Sequence, residues 1–293
     1  MNKISDIVYL NGCYVPISEA KISVLDRGFM FADSVYEVIP VYGGALFRQN
    51  QHIDRLLYSL HEIHITPPYD APAWLNLCAK VIEKNAFNNG HLYIQLTRGS
   101  PPSRSHTFNS DLQPTILIMC QSVDTPDLAS LDNEMGISAI TTNDIRWHRC
   151  DIKSTALLPN VLIRQQAKDK NAAEAIMIKD GLVTEGAASN VFIIKGNKLL
   201  TPPKSNHVLG GTTRDLVLEL ASTQKLTSKT AKIPLLTLET ADEIWVTSST
   251  MGIIPVVSLN DKLVGDGKPG PFWRKIAQCY ANYRQNIIED SKC

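Results

Sequence analysis

Lys153 has the sequence context of a reactive amine. It follows a polar stretch that ends at Asp151 and Ile152, and it directly precedes a helix-like run. The positive end of a helix dipole, together with desolvation, disfavours the ammonium form of a lysine and leaves an amine that can attack a carbonyl carbon. The pattern therefore predicts that Lys153 forms a Schiff base. Because a lysine taken at random is usually a solvated surface residue, this prediction depends on the other groups that the chain supplies.

A carboxylate further along the chain suits the same chemistry. Glu185 lies in a run of small residues, 184–190, which we interpret as a turn after Gly181, Leu182 and Val183. Pyridoxal 5'-phosphate (PLP) needs a lysine, an anion beside its pyridine nitrogen, a phosphate cradle and groups that orient the substrate. We predict that Glu185 is that anion and keeps the ring protonated, as transamination requires. A single glutamate after a strand is otherwise usually solvated.

Several hydroxyl and amide groups suit the phosphate. Leu209-Gly210-Gly211-Thr212-Thr213 opens an apolar helix-like segment, so it offers backbone amides and hydroxyls at a helix N-terminus, where phosphate binds well. A Gly-Gly-Thr-Thr run is also an ordinary N-cap, and a Ser/Thr run is also an ordinary turn. The predicted cofactor-binding residues, with the lysine, the carboxylate and one cation included, are Lys153, Glu185, Arg55, Leu209, Thr212, Thr213, Ser248 and Ser249.

The order of these motifs resembles that of the class IV aminotransferases, which have PLP fold type IV. The likeness covers essentially the whole chain and rests on Asp33-x-x-Tyr36-Glu37, His52-x-Asp54-Arg55-Leu56, Lys153, Thr184-Glu185-Gly186-x-x-Ser189-Asn190, Gly211-x-Thr213-Arg214 and Thr247-Ser248. Within the family, the segments 97–106 and 150–154 most closely resemble the bacterial D-amino-acid (D-alanine) transaminases. Arg104-x-His106 is the discriminating motif.

The resemblance implies an α+β fold of two domains, a small N-terminal domain and a larger C-terminal domain with a mixed sheet or barrel. It implies a homodimer with shared active sites, in which Arg104 and His106 from one subunit and Tyr36 from the other bind the substrate carboxylate. Lys153 is the implied catalytic residue of a ping-pong reaction. D-alanine and 2-oxoglutarate would give pyruvate and D-glutamate.

The position of the carboxylate clamp, Arg104 and His106, decides which enantiomer reacts. A fixed lysine reaches only one face of the cofactor plane, so the side of Cα on which the carboxylate is held sets the stereochemistry. Arginine suits a carboxylate because its guanidinium binds it through two parallel hydrogen bonds. This chain departs from its close relatives in one extra residue before Arg104, and in Pro40, Ala187 and Ala188.

Three other functions fit parts of the pattern. An L-branched-chain transaminase has the same fold and chemistry but binds the carboxylate with a different loop, and Arg104-x-His106 argues against it. An aminodeoxychorismate lyase would eliminate pyruvate from an aromatic precursor. A PLP-binding protein with little activity would not need the complete set of reactive residues.

The composition indicates a small-molecule partner. The 293 residues are 44% hydrophobic, and 29 basic side chains balance 29 acidic ones without blocks, so nothing indicates binding to nucleic acid or to an anionic membrane. The six cysteines and seven histidines show neither zinc-ligand spacing nor a disulfide pattern, and we assign Cys150 no role. No signal-peptide core or membrane-length apolar run is present, so we expect a cytoplasmic protein.

Strands and helices that position these residues follow from periodicity and turn signals. Asn11-Gly12 predicts an opening hairpin, and Pro40 indicates a sheet edge or a bulge. Predicted strands are 7–10, 13–15, 35–42, 45–48, 92–97, 115–120, 174–178, 190–195 and 243–247, and predicted helices are 52 onward, 73–83, 155–170, 213–222 and 271–288. Residues 123–133 have loop composition, so we predict domains 1–124 and 125–293.

Overall fold

The computed structural model describes residues 4–109, 111–122 and 136–290, with the backbone alone at Asp290. The chain divides into two compact units. The first contains the described residues up to 122, together with Ile152–Ala156 and the residues from 286 onward. The second contains residues 136–151 and 157–285. The predicted loop at 123–133 and the predicted boundary after residue 124 lie outside the described residues.

The first unit is built on a six-stranded antiparallel sheet with the order β2-β1-β6-β5-β3-β4. Its strands are β1 (Ile7–Leu10), β2 (Cys13–Pro16), β3 (Ser34–Tyr42), β4 (Ala45–Leu46), β5 (Gly90–Thr97) and β6 (Thr115–Gln121). Its helices are α1 (Arg27–Phe31), α2 (Gln49–Glu62) and α3 (Ala71–Lys84). The strands predicted in this region are confirmed, although β4 is shorter than predicted. Both helices predicted here are confirmed as α2 and α3, although α2 begins three residues before its predicted start.

Turn chemistry explains the opening hairpin. Asn11 and Gly12 both have positive φ, 49° and 95°, as a two-residue hairpin turn requires. Pro40 also lies where its missing N–H removes no hydrogen bond to β5. The carbonyl of Pro40 accepts a hydrogen bond from Phe47 N–H at 2.8 Å, so this residue directs its backbone groups away from β5 towards the short edge strand β4. Pro40 therefore lies not on an edge strand, as predicted, but at the end of the pairing between β3 and the edge strand β4.

Alternation along β3 divides the sheet into two faces. Val35, Ile39 and Val41 are fully buried, and they pack with Ile53 and Leu56 of α2 in the core of the first unit. Residues two apart on a strand share a face, so Tyr36 lies on the opposite face from these core residues. The strand therefore carries a packed face and a partly accessible face.

The second unit is built on a nine-stranded mixed sheet with the order β12-β11-β10-β13-β14-β7-β8-β9, and β15 pairs with β14. The pairs β7–β8, β7–β14 and β11–β12 are parallel and the others antiparallel. Its strands are β7 (Ile137–Asn143), β8 (Glu174–Lys179), β9 (Leu182–Gly186), β10 (Asn190–Lys195), β11 (Lys198–Thr201), β12 (Ser228–Thr230), β13 (Glu243–Ser248), β14 (Gly252–Leu259) and β15 (Lys262–Leu263). The helices are α4 (Leu158–Asp169), α5 (Thr212–Thr223), α6 (Leu235–Glu239) and α7 (Pro271–Asp290), the last of which ends in residues of the first unit.

The predicted α+β class is confirmed, and so are the elements that correspond to β8, β10, β13, α5 and α7. The helix predicted from about residue 155 to 170 is also confirmed, although α4 begins three residues later, at Leu158, with Pro159 in its first turn. Proline disfavours the helical conformation of the residue before it and is tolerated only in the first turn, so the helix cannot extend back far beyond it. Among the described helices, none has the length and apolar content to cross a membrane.

Helix α6 of the second unit carries one buried leucine and one exposed leucine, which makes a matched pair for a test of packing. Leu238 is fully buried, whereas Leu236 is 70% exposed. We expect Leu238→Ala to lower the free energy of unfolding by about 2–5 kcal/mol, because it leaves a cavity, and Leu236→Ala to change it by less than about 0.5 kcal/mol. Urea denaturation followed by circular dichroism measures both. Equal effects of the two substitutions would contradict the packing described for α6.

Candidate active site

Lys153 lies in a short segment, Ile152–Ala156, that is bound to the beginning of β3. The backbone N–H of Tyr36 donates to the Lys153 carbonyl at 2.9 Å, and Thr155 N–H donates to the Ser34 carbonyl at 3.1 Å. The N–H of Lys153 donates to Ser59 Oγ of α2 at 3.2 Å. The backbone of the lysine is therefore held on both sides, which leaves movement to its side chain.

The predicted place of Lys153 at a helix start is wrong. The first helix after it, α4, begins at Leu158, and a helix dipole acts only within about the first turn. The amine instead lies 4.1 Å from the centroid of the Tyr36 ring, a cation–π distance. Tyr36 in turn lies 5.8 Å from the Tyr93 ring. The predicted substrate-binding tyrosine and the predicted catalytic lysine are thus in direct contact.

A buried charge cluster occupies the other face of β3. Arg55 donates to both oxygens of Glu37, from Nε at 2.7 Å and from Nη2 at 2.9 Å, and His52 Nδ1 lies 2.8 Å from Glu37 Oε2. Burial raises the pKa of Glu37, but the Arg55 charge and the hydrogen bonds from His52 and Arg55 outweigh it, so the pKa lies well below its ordinary value. Arg55, a predicted phosphate ligand, is thereby fixed in orientation by a carboxylate that stays ionised.

The predicted carboxylate clamp lies on the connection between β5 and β6. Both Arg104 and His106 are exposed. The Arg104 guanidinium lies 4.9 Å from the Phe31 ring centroid, and the His106 ring lies 5.3 Å from the same ring. No described contact joins either residue to Tyr36.

Glu185 lies in strand β9 rather than in the predicted turn. Residues 184–186 continue the strand because Gly186 pairs with Ile176 of β8, and the chain turns only at residues 187–189. Glu185 Oε2 accepts from Asn190 Nδ2 at 3.0 Å and from Leu209 N–H at 3.0 Å. The predicted cofactor residue Leu209 therefore binds Glu185 through its backbone.

Arg146 is a site residue that the sequence reasoning did not identify. Its Nη1 forms a short ion pair with Glu185, and its Nη2 donates to Asp144 Oδ2 at 2.8 Å and to the His207 carbonyl at 3.1 Å. Burial raises the pKa of Glu185 to about 7 against the opposing effect of Arg146. The signal available in the sequence was Asp144-x-Arg146, a charge pair two residues apart on the polar stretch before the lysine.

The start of α5 and the end of β13 together form a polar cradle. Gly211, the N-cap of α5, has no side chain to satisfy the N–H groups of the first turn. Thr212 Oγ1 and Ser249 Oγ are 3.4 Å apart, Ser248 Oγ accepts from Met251 N–H at 3.2 Å, and Thr213 is buried. Within the described part of the chain, the buried Thr247 Oγ1 has no hydrogen-bond partner.

The residues of each unit, taken separately, fit parts of PLP. In the second unit, a cluster of hydroxyls at a helix N-terminus, next to one buried hydroxyl without a partner, suits a phosphate dianion. A buried carboxylate that only accepts hydrogen bonds suits a protonated ring nitrogen. In the first unit, a lysine that is held through its backbone and leaves its amine free to move suits Schiff-base formation. By contrast, the Cys150 thiol is buried, which raises its pKa to about 11, so it is a poor nucleophile.

Comparisons with known proteins identify a family and several similar proteins. The family described as amino-transferase class IV matches residues 34–259. The D-alanine aminotransferase of Bacillus licheniformis is 38% identical over 275 residues, which cover 94% of this chain and 96% of that protein. The branched-chain amino acid aminotransferase of Escherichia coli has a similar structure, with a TM-score of 0.87, 24% identity and coverage of 95% of this chain and 94% of that one. The branched-chain aminotransferase of the archaeon Thermoproteus uzoniensis, solved with norvaline, has a TM-score of 0.84, 26% identity and coverage of 97% and 95%.

Glu37 makes a pH-dependent contribution to stability. Because its pKa is lowered in the folded state, that contribution is present above the ordinary value of 4.5 and is lost as the pH falls below it. We expect Glu37→Gln to reduce the free energy of unfolding at pH 7 by about 3–5 kcal/mol, since it leaves the buried Arg55 without its counter-charge. The variant should also lose less stability than the unsubstituted protein between pH 5 and 3. Urea denaturation across pH measures this, and Glu19→Gln, at an exposed position, is the control.

Arg146 should control the protonation of Glu185. Its positive charge lowers the pKa of Glu185, so Arg146→Gln should raise that pKa above its present value of about 7. Infrared titration of isotope-labelled glutamate carboxyl groups follows the proton directly. Arg149→Gln, on the same polar stretch but paired with Asp151, should leave the titration unchanged. A Glu185 titration that is the same with and without Arg146 would show that the ion pair is not formed in solution.

Proposed function

The chain belongs to the class IV aminotransferases, which are PLP enzymes, and from this membership we propose that it is a D-amino-acid transaminase. It would exchange a D-amino acid such as D-alanine and a 2-oxo acid such as 2-oxoglutarate for pyruvate and D-glutamate. The observation that carries the proposal is the Arg104-x-His106 pair, displayed on an exposed loop, in a chain whose full-length relatives are named D-alanine aminotransferases.

Each cluster has a separate task in the proposed reaction. Bound PLP supplies a carbonyl carbon for the substrate amine and a ring that withdraws electrons from Cα. The Lys153 amine would accept the proton from the substrate Cα and deliver it to the cofactor carbon that bears the substrate nitrogen, and its fixed backbone limits it to one side. Glu185 keeps the ring nitrogen protonated, because its three described partners all donate hydrogen bonds and so favour the carboxylate.

The phosphate of the cofactor is assigned to the cradle and to one arginine. We assign its ligands to the start of α5 and the end of β13, where a helix N-terminus and hydroxyl groups converge, together with the cation of the first unit, as Arg55, Thr212, Thr213, Ser248 and Ser249. Burial and ion pairing prevent Arg55 from reorienting, so a contact that it makes with an anion costs little side-chain entropy.

The clamp residues explain why we propose a homodimer. Tyr36 contacts Lys153, whereas Arg104 and His106 contact Phe31, and no described contact joins the two groups. In the D-amino-acid transaminases that the chain resembles, the Arg-x-His pair comes from the partner subunit, so we propose that the loop of one copy serves the site of another. A shared site of this kind requires two copies of the chain.

The test of this function is the absorbance of the PLP-loaded protein during separate additions of D-alanine, L-alanine, L-leucine and L-isoleucine. We expect D-alanine alone to convert the cofactor to its amine form, with stoichiometric pyruvate. Lys153→Arg should bind the cofactor without this conversion, because a guanidinium does not deprotonate to act as a base.

Other outcomes would identify a different enzyme of the family. Conversion by the L-amino acids alone would overturn the role of Arg104 and His106 and favour a branched-chain transaminase. Release of pyruvate from aminodeoxychorismate without an acceptor would indicate a lyase. A spectrum that responds to no amino acid would indicate a PLP-binding protein without transaminase activity.

A further inference from the structure

The connection between β5 and β6, residues 98–114, carries Arg104 and His106 and is called the clamp loop. We propose that Arg27 is a positioning residue for the carboxylate clamp: its buried guanidinium binds three successive carbonyls of the clamp loop and thereby fixes Arg104 and His106. The effect on substrate rests on the proposed function, in which these two residues bind the α-carboxylate. The hold on the loop itself is a property of the chain alone.

The contacts of Arg27 are unusual in number and in order. Its side chain is 5% exposed, and Nη1 donates to the carbonyls of Ser105 at 2.6 Å and Thr107 at 3.2 Å, while Nη2 donates to the carbonyl of His106 at 3.1 Å. Hydrogen bonds from a charged donor are stronger than those between neutral groups. One side chain thus fixes the backbone on the C-terminal side of Arg104 and at His106 itself.

Arg27 is itself held rigidly. Its Nε donates to Asp33 Oδ2 at 2.7 Å, and Arg98 binds the same carboxylate with two hydrogen bonds, of 2.8 and 3.0 Å. Arg98 also donates to the carbonyls of Ile63 and His64, at the end of α2. Because Arg98 begins the clamp loop and Arg27 binds its middle, one partly buried carboxylate ties both parts of the loop to the fold.

The helix that carries Arg27 also supplies a support for the clamp side chains. Phe31 lies one helical turn after Arg27, and its ring contacts both Arg104 and His106. The helix packs closely on the end of β5, since a Cβ atom at Gly28 would lie 2.4 Å from Thr97 Cγ2. Helix α1 therefore fixes the loop backbone through Arg27 and the clamp side chains through Phe31, while both clamp residues stay exposed to a ligand.

This arrangement predicts a particular kinetic change. A clamp that is fixed before substrate arrives does not have to be ordered during binding. Loss of Arg27 should weaken the grip on the carboxylate equally in the bound substrate and in the transition state, which raises KM and changes kcat little. The preference for D over L substrates should also fall, because the position of the carboxylate sets it.

The test compares PLP-loaded Arg27→Met with the unsubstituted protein in two measurements. The first is the rate of trypsin cleavage after Arg104, which needs the loop to leave its place, and we expect at least about a tenfold increase because charge-assisted hydrogen bonds are lost. The second is the steady-state kinetics with D-alanine, where we expect KM to rise by about tenfold or more with kcat within about twofold. In both measurements, Arg27→Lys should give values between those of the unsubstituted protein and Arg27→Met, since one ammonium cannot bind all three carbonyls in the same geometry.

Two further variants keep the outcome clear. Arg164→Met removes a guanidinium–carbonyl contact elsewhere, to Ala173, and should change neither measurement. Phe31→Leu retains the hydrogen bonds of Arg27 but removes the ring that lies 4.9 Å from its guanidinium, so it should raise KM with a smaller increase in cleavage than Arg27→Met.

Native-like Arg27→Met that trypsin cleaves at the original rate would overturn the proposal, and so would faster cleavage with an unchanged KM. If Arg27→Met does not fold, an Arg27→Lys variant whose cleavage rate and KM are both unchanged overturns it. If the unsubstituted protein converts no D-amino acid, the proposed function fails, and the cleavage rates alone then decide whether Arg27 holds the loop.

Discussion

The hydrogen bond from Tyr36 N–H to the Lys153 carbonyl is the contact on which the arrangement of the first unit depends. It extends the pairing of β3 by a short segment, so the strand that positions the lysine also carries Tyr36 and Glu37. Since neighbouring strand residues point to opposite faces, Tyr36 meets the amine on one face and Glu37 orients Arg55 on the other. One strand thereby sets the positions of the amine, its aromatic neighbour and the charge cluster.

Buried carboxylates held by arginine recur in both units, but their balance differs. Glu37 is bound by both Arg55 and His52, and its pKa is lowered. Arg146 is shared between Asp144 and Glu185, so Glu185 receives only part of one positive charge, and burial raises its pKa to about 7. A buried ion pair is weak evidence for stability, yet loss of one partner is costly, so these pairs fix positions more than they add stability. The difference also suits the tasks proposed for them, in which Glu37 only holds Arg55, whereas Glu185 would face the protonated ring nitrogen of the cofactor.

Local chemistry allowed much of this to be predicted from the sequence, and tertiary contacts account for what was wrong. Asn11-Gly12 specified its hairpin because both residues tolerate positive φ. Thr184-Glu185-Gly186 was interpreted as a turn because its residues are small and polar, whereas the pairing of Gly186 with Ile176 makes it a strand. Pro159 already contained the signal that α4 begins late. Arg146 was not identified because its role depends on Glu185, 39 residues away in the sequence.

The fold alone does not decide between D- and L-amino acids. Solved structures of similar fold include branched-chain aminotransferases, while full-length relatives of higher identity are named D-alanine aminotransferases. Both observations are compatible, because a scaffold that positions a lysine and a phosphate cradle is indifferent to the side from which a carboxylate is held. In the proposed function, that side is set by the connection between β5 and β6, where Arg104 and His106 lie. A loop can carry such specificity only if it is fixed, and in the proposal the pairing of the partly buried Asp33 with the buried Arg27 and Arg98 fixes it. Specificity would then depend as much on the ion pairs beneath the loop as on the exposed residues that would touch the substrate.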